Sequence, residues 1–192
     1  MSEPPCFTPM APDDLPDVKA LWADTEGITL RAVDSVEALQ RFLDRNPGLS
    51  WVARAGDGAA ANGAAANGAA ANGVAANGVA ANGVAANGVA ANVLAANVLA
   101  ANSVVGAVLC GHDGRRGYIH HLAVRRAARH RGIGRELVRR ALDGLERIGI
   151  VKCHLFVRGD NAAALRFWQH LDWELRQDIR ILSHLRSADP GA

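Results

Sequence analysis

From Ala59 to Asn102 the chain is built almost entirely from Ala, Asn, Gly and Val, with Asn at 62, 67, 72, 77, 82, 87, 92, 97 and 102. A period of five matches neither the 3.6 of a helix nor the 2 of a strand, so no single face stays apolar through it. The repeated Asn-Gly steps penalise helix further. The spacing is that of a pentapeptide solenoid, but the place of the large inward side chain is mostly Gly. Nine units would make only about two square coils, fewer than the three or more stacked repeats such folds need. The units grade from Ala-Ala-Asn-Gly-Ala to Ala-Ala-Asn-Val-Leu, which suggests duplication of one unit. The segment is expected to be a mobile, largely unordered insertion, a short solenoid stub being the alternative.

Those 44 residues inflate the 49% hydrophobic share of the 192-residue chain without adding large side chains. The remainder holds all four Trp, all four Phe, the one Tyr and every charged residue. That is the composition of a single α/β (α+β) domain over residues 1–192, carrying the 59–102 insertion. Formal net charge is +2, too small to argue for nucleic acid by itself. The basic residues are nevertheless uneven: seven Arg lie between Arg125 and Arg140, opposed there only by Glu136. Such a run is either a solvated helix face or a seat for a polyanionic ligand. Cys6, Cys110 and Cys153 are odd in number and scattered, which fits reduced thiols in a cytoplasmic protein. No Cys/His spacing suggests a metal site. Met1-Ser-Glu-Pro-Pro lacks the basic and apolar regions of a signal peptide, and the repeat's regular Asn residues would be costly in a bilayer, so no membrane span is expected.

Outside the repeat the pattern alternates strand and helix. Cys6–Met10 reads as extended. Asp13 or Asp14 then starts a helix with Leu15, Val18, Leu21 and Trp22 on one face. Asp34 with Glu37 resembles a capping box, ahead of a helix lined by Val36, Leu39, Phe42 and Leu43 and ended by Asn46-Pro47-Gly48. Ser50–Ala55 alternates as a strand. Val104–Cys110 and Gly117–Val124 are strands joined at Asp113-Gly114, so the insertion sits between two strands that would otherwise pair directly. Gly132–Ile148 is an amphipathic helix, Val151–Val157 a strand, and Asn161 starts a helix with Ala164, Leu165, Trp168 and Leu171 at helical spacing. Trp173–Leu175 and Asp178–Leu185 read as final strands.

The chemistry lies in two motifs. Arg129-x-x-Gly132-x-Gly134 follows a strand and opens a helix. Unpaired amides at a helix start, backed by the helix dipole, form an anion site. Glycines at 132 and 134 leave room for a pyrophosphate, and Arg129, Arg131 and Arg135 add charge-assisted hydrogen bonds. The third glycine and later acid of a dinucleotide fold are missing, as is the Gly-Lys-Ser/Thr of a P-loop. The second motif is Asn161-x-x-Ala164-x-x-Phe167-Trp168. Together, in this order, they resemble the GNAT superfamily of N-acetyltransferases, and the resemblance covers the chain apart from the insertion.

The resemblance implies a mixed sheet splayed between its fourth and fifth strands, flanked by helices, with the pantetheine arm of acetyl-CoA in the wedge. Backbone groups of Leu122, Ala123 and Val124 would meet the arm, and Asn161 and Trp168 would flank it. Arg129, His130, Arg131, Gly132, Ile133, Gly134 and Arg135 would hold the pyrophosphate. It also implies direct attack of a primary amine, on a small molecule or at a protein N-terminus or lysine, on the thioester. Two departures matter. The family's Tyr acid is Trp168 here, whose indole cannot serve as a practical acid, and its Glu in the strand before the Asn motif is Phe156. His120 and His121 are the alternatives for the base that takes the amine's proton, His120 being preferred because it shares a strand face with Tyr118, the other candidate catalytic group. His121 is expected on the opposite face by the period of two. Trp168 and the absent Glu also motivate a non-catalytic acyl-CoA-binding module, and the repeat an interaction protein.

Overall fold

The computed structural model describes residues 3–56, 102–184 and 186. Strand alternation becomes a five-stranded sheet in sequential order: β1 Cys6–Pro9, β2 Trp51–Arg54, β3 Val104–His112, β4 Gly117–Val124 and β5 Cys153–Leu155. The first four are antiparallel neighbours, and β4 and β5 run parallel. A parallel pair needs a crossover, which the long amphipathic helix supplies.

Helices α1 (Leu15–Ala23) and α2 (Val36–Arg45) cover one face of the sheet, with Leu15, Val18, Leu21, Trp22, Leu39 and Leu43 packed on Val52, Val104, Ala107, Leu109 and Ala123. Helices α3 (Ile133–Arg147) and α4 (Ala162–Gln169) cover the other, where Ile133, Leu137, Ala141, Leu145 and Trp168 meet Ala53, Val105, Val108, Cys110 and Ile119. Two dry layers on one sheet fix which strand residues face which helix pair. Among the described residues no helix is long and apolar enough to cross a membrane.

Two expectations need correction. Ser35, rather than Asp34, caps α2, its hydroxyl accepting from the Ala38 amide at 3.2 Å, so Asp34 is left for another task. Residues 173–184 hold no strand. Their Ile179, Ile181 and Leu182 alternate too little to bury a face, remain exposed, and find no hydrogen-bonded ladder beside β5. The 59–102 repeat lies outside the described residues except for Asn102. Its flanking strands nonetheless pair with each other, Arg54 opposite Val104. Just beyond, Ala55 donates to the Ser103 carbonyl at 2.9 Å and accepts from the Asn102 amide at 3.3 Å.

Candidate active site

Strands β4 and β5 pair only through Gly117–Cys153, Tyr118–His154 and Ile119–Leu155. Beyond Ile119, β4 runs five more residues to Val124 while β5 has ended. The edge of β4 from His120 to Val124 is therefore not paired with β5, and the sheet opens there. Phe156, the residue after β5, is 63% exposed, an apolar side chain at the mouth of the opening. The wedge implied by the sequence is present.

The loop after β4 is folded by its own arginines. Arg125 donates from Nε to the Val104 carbonyl at 3.0 Å, and Arg129 from Nε to the Val124 carbonyl at 3.1 Å. A 3-10 turn at Arg126–Ala128 brings the chain round to His130 and Gly132, both left-handed, with φ of 62° and 78°. Gly132 is the N-cap of α3 and has no heavy atom within 4 Å of where a Cβ would stand. The first amides of α3 follow it, those of Ile133, Gly134 and Arg135, which by helix geometry have no intrahelical acceptor. It is at this helix start that the glycine spacing leads one to expect an anion. The Ile133 side chain itself is buried in the core, so only its backbone can serve a ligand.

Gly134 works differently from the expectation. A Cβ there would stand 3.2 Å from Cζ of Phe167 and 3.7 Å from Cγ2 of Val124. Its missing side chain makes room for α4 against α3, and contributes to the seat by letting the two helices close.

The arginine run divides. Arg139 and Arg140 both pair with Glu136, and Arg139 also with Asp143 at 2.5 Å, the solvated helix face. These contacts hold the Glu136 carboxyl down at about 2, first through the Arg139 hydrogen bonds. Arg125, Arg126 and Arg129 instead line a cleft of about 210 Å³ with Leu21, Asp24, Thr25, Glu26 and Val124. Their charges lie at the open end of β4, beside the seat.

Asn161 caps α4, Oδ1 accepting from the Ala164 amide at 2.9 Å. Its Nδ2 lies against Gly27, 2.5 Å from where a Cβ would be. The loop after α1 thus meets the start of α4, and a β-carbon at Gly27 would push them apart. Trp168 is 9% exposed and packs edge-on against Phe167 and Trp173, at 5.1 and 5.0 Å between ring centres. Its indole is a core group, not a flank of the wedge, because α4 turns that face onto the sheet.

The histidines required the structure. The β3–β4 register pairs Leu109 with His121 and Cys110 with Ile119, so His120 is an extra residue, a β-bulge. The bulge cancels the period of two. His120 packs edge-on against Phe42 of α2 at 5.3 Å, and His121 against Trp22 of α1 at 4.8 Å, so both project toward α1 and α2. His121 Nε2 lies 3.1 Å from Asp34 Oδ1, while Asp34 Oδ2 accepts from the Arg31 amide at 2.8 Å. Asp34 is only 7% exposed. Sequence reading missed this residue because the only local signal, a polar residue before a helix, has a simpler explanation in capping.

His120 has its pKa lowered, first by loss of hydration and then by the neighbouring His121. Tyr118 is turned toward the hairpin tip, its hydroxyl donating to Asp113 Oδ2 at 3.0 Å. That bond raises its pKa and holds it beside the closed end of the β4–β5 pair. It is poorly placed for a group leaving from the wedge. Among the described residues no three His, Cys, Asp or Glu side chains cluster as for a metal.

Comparison with known proteins follows the same division of the chain. The model of the acetyltransferase (GNAT) family matches residues 87–173. An acetyltransferase of Sodalis glossinidius is 37% identical over 80 residues, 42% of this chain and 56% of that protein. One of Pectobacterium atrosepticum is 39% identical over 72 residues, 38% and 51% of the two. The chain thus spans about half the length of the curated relatives it matches. Among solved structures, the PaiA N-acetyltransferase of Thermoplasma acidophilum in complex with coenzyme A superposes with a TM-score of 0.59 at 14% identity, covering 88% of this chain and 89% of that one. Ard1 of Thermoplasma volcanium does so at 0.58 and 15%, covering 88% and 82%.

Proposed function

Because the chain belongs to the GNAT superfamily, we propose that it transfers an acetyl group from acetyl-coenzyme A to a primary amine. The observation that carries this is the pairing of an open, left-handed Gly132 at the start of α3 with a sheet that parts after Ile119. A diphosphate fits the first and a narrow, amide-bearing arm the second. The amides of Ile133, Gly134 and Arg135, with the helix dipole behind them, would bind the diphosphate. Arg126 and Arg129 would add charge from the adjoining cleft. The edge of β4 from Leu122 to Val124 would offer backbone groups to the arm, and the Asn161 carboxamide would close over it from α4. Acetyl-coenzyme A supplies an activated thioester. The chain's part is to hold it, exclude water and accept the amine's proton.

With Trp168 buried, α4 offers no phenol to protonate the departing sulfur. A thiolate whose parent thiol titrates near ~8.5 leaves without that help, so turnover is slowed rather than abolished. The same observation favours a second reading, a module that binds acyl-coenzyme A without turnover. One experiment separates them: acetyl-coenzyme A affinity by calorimetry, with thiol release measured across polyamines, amino acids, aminoglycosides and N-terminal peptides. Binding with release for at least one amine class supports the transferase. Binding without release for any supports the module, and no binding removes both.

A further inference from the structure

We propose that His121, oriented by Asp34, is the general base that takes the acceptor amine's proton. The inference rests on the acyl-transfer reading above. Of the two adjacent histidines only His121 has a carboxylate partner, at 3.1 Å from Nε2. That carboxylate is itself fixed, buried in the turn before α2 with its other oxygen on the Arg31 amide. A buried acceptor on Nε2 selects the tautomer with the proton there, which leaves Nδ1 as a bare lone pair. A base oriented by a third group is the recurrent arrangement for activating a nucleophile.

The position is also right. His121 lies two residues beyond the last β4–β5 pair, immediately ahead of the strand edge assigned to the coenzyme arm. The bulge at His120 turns it toward α1 and α2, where its side chain keeps 19% of its surface open. Trp22 forms a wall against the ring, and its buried indole N–H has no partner among the described residues, a donor that a water or the acceptor would satisfy. The titratable groups facing His121 are Asp34, from the turn before α2, and His120, from β4. Helix α1 presents Trp22, which does not titrate.

The step balances. The amine arrives as an ammonium and gives one proton to His121, which passes it to solvent. The freed lone pair forms the C–N bond to the acyl carbon, the C–S bond breaks, and sulfur leaves with the C–S bonding pair. The nitrogen's second proton ends on the sulfur. Asp34 acts through His121 and is a positioning residue.

The test combines two variants with a measurement that needs no turnover. Long-range proton–nitrogen spectra of the wild-type chain should show His121 protonated at Nε2. In Asp34→Asn that pattern is lost and kcat falls about 10-fold with KM for acetyl-coenzyme A unchanged. His121→Gln lowers kcat at least about 100-fold, the usual scale for a lost general base, and leaves coenzyme affinity within about twofold. A wild-type chain that transfers acetyl while His121→Gln keeps its rate overturns the assignment alone. So does an Nδ1-protonated His121 in the wild type, which also decides the matter if His121→Gln does not fold. A wild-type chain that neither binds coenzyme A nor releases thiol defeats the acyl-transfer reading, and this inference with it.

Discussion

Replacing residues 56–101 by a four-residue turn should stabilise the protein. The ends to be joined are already held together, Ala55 exchanging hydrogen bonds with Asn102 and Ser103, and β2 and β3 pair up to that point across a register shift between Ala53 and Arg54. Forty-six residues separate Ala55 from Asn102. If they pack on nothing, closing that loop costs the ordering entropy of its ends, which scales as 1.5RT times the logarithm of length. Shortening it to about four residues recovers about 2 kcal/mol. For a domain of this size that raises Tm by about 4 to 8 °C. Urea unfolding should show the midpoint displaced upward with nearly the same slope, since almost no buried surface is removed. Acetyl-coenzyme A affinity should be unchanged. A lower midpoint, or weakened coenzyme binding, would show instead that the repeat packs against the domain and contributes to its stability.

Three further outcomes follow from named contacts. Gly132→Ala meets no steric obstacle but must hold φ at 78°, so it should cost about 1–2 kcal/mol in unfolding free energy and weaken coenzyme binding at least tenfold, read by calorimetry. Asp14→Ala leaves the Ala11 amide and Arg54 without their carboxylate, and chemical denaturation should report a loss of about 1–3 kcal/mol. Glu136 titrates at about 2 in the folded chain, below its ordinary 4.5, so its contribution is present above about pH 4.5 and is lost as pH falls toward 2. Glu136→Gln should therefore be less stable than wild type at neutral pH and converge with it in acid, as thermal melts at pH 7 and pH 2.5 would show.

Most of the described elements, and the turn that opens α3, were legible in the sequence because each rests on short-range rules. Asn161 caps its helix, Gly132 occupies a left-handed turn, and the four longer helices and strands follow apolar periods of 3.6 and 2. What escaped depends on long-range packing. A bulge adds one residue whose effect on facing cannot be seen without the partner strand, so His120 and His121 read as opposed when they share a face. Asp34 and His121 are 87 residues apart, and nothing local in either announces the other. Gly134 reads as ligand space, yet its neighbour is Phe167 from the next helix. Trp168 reads as a cofactor contact from its motif, while its burial is set by how α4 lies on the sheet. The apolar alternation over the described residues 178–184 has strand character without the ladder that would make it one.

The most direct test of the coenzyme seat is an amide chemical-shift titration of the isotope-labelled chain with coenzyme A. The amides of Ile133, Gly134 and Arg135 should move most, together with those of Leu122 to Val124 along the opened strand edge, while the exposed far face of α2 stays still. Saturable binding whose shifts leave those six amides unmoved would contradict that seat.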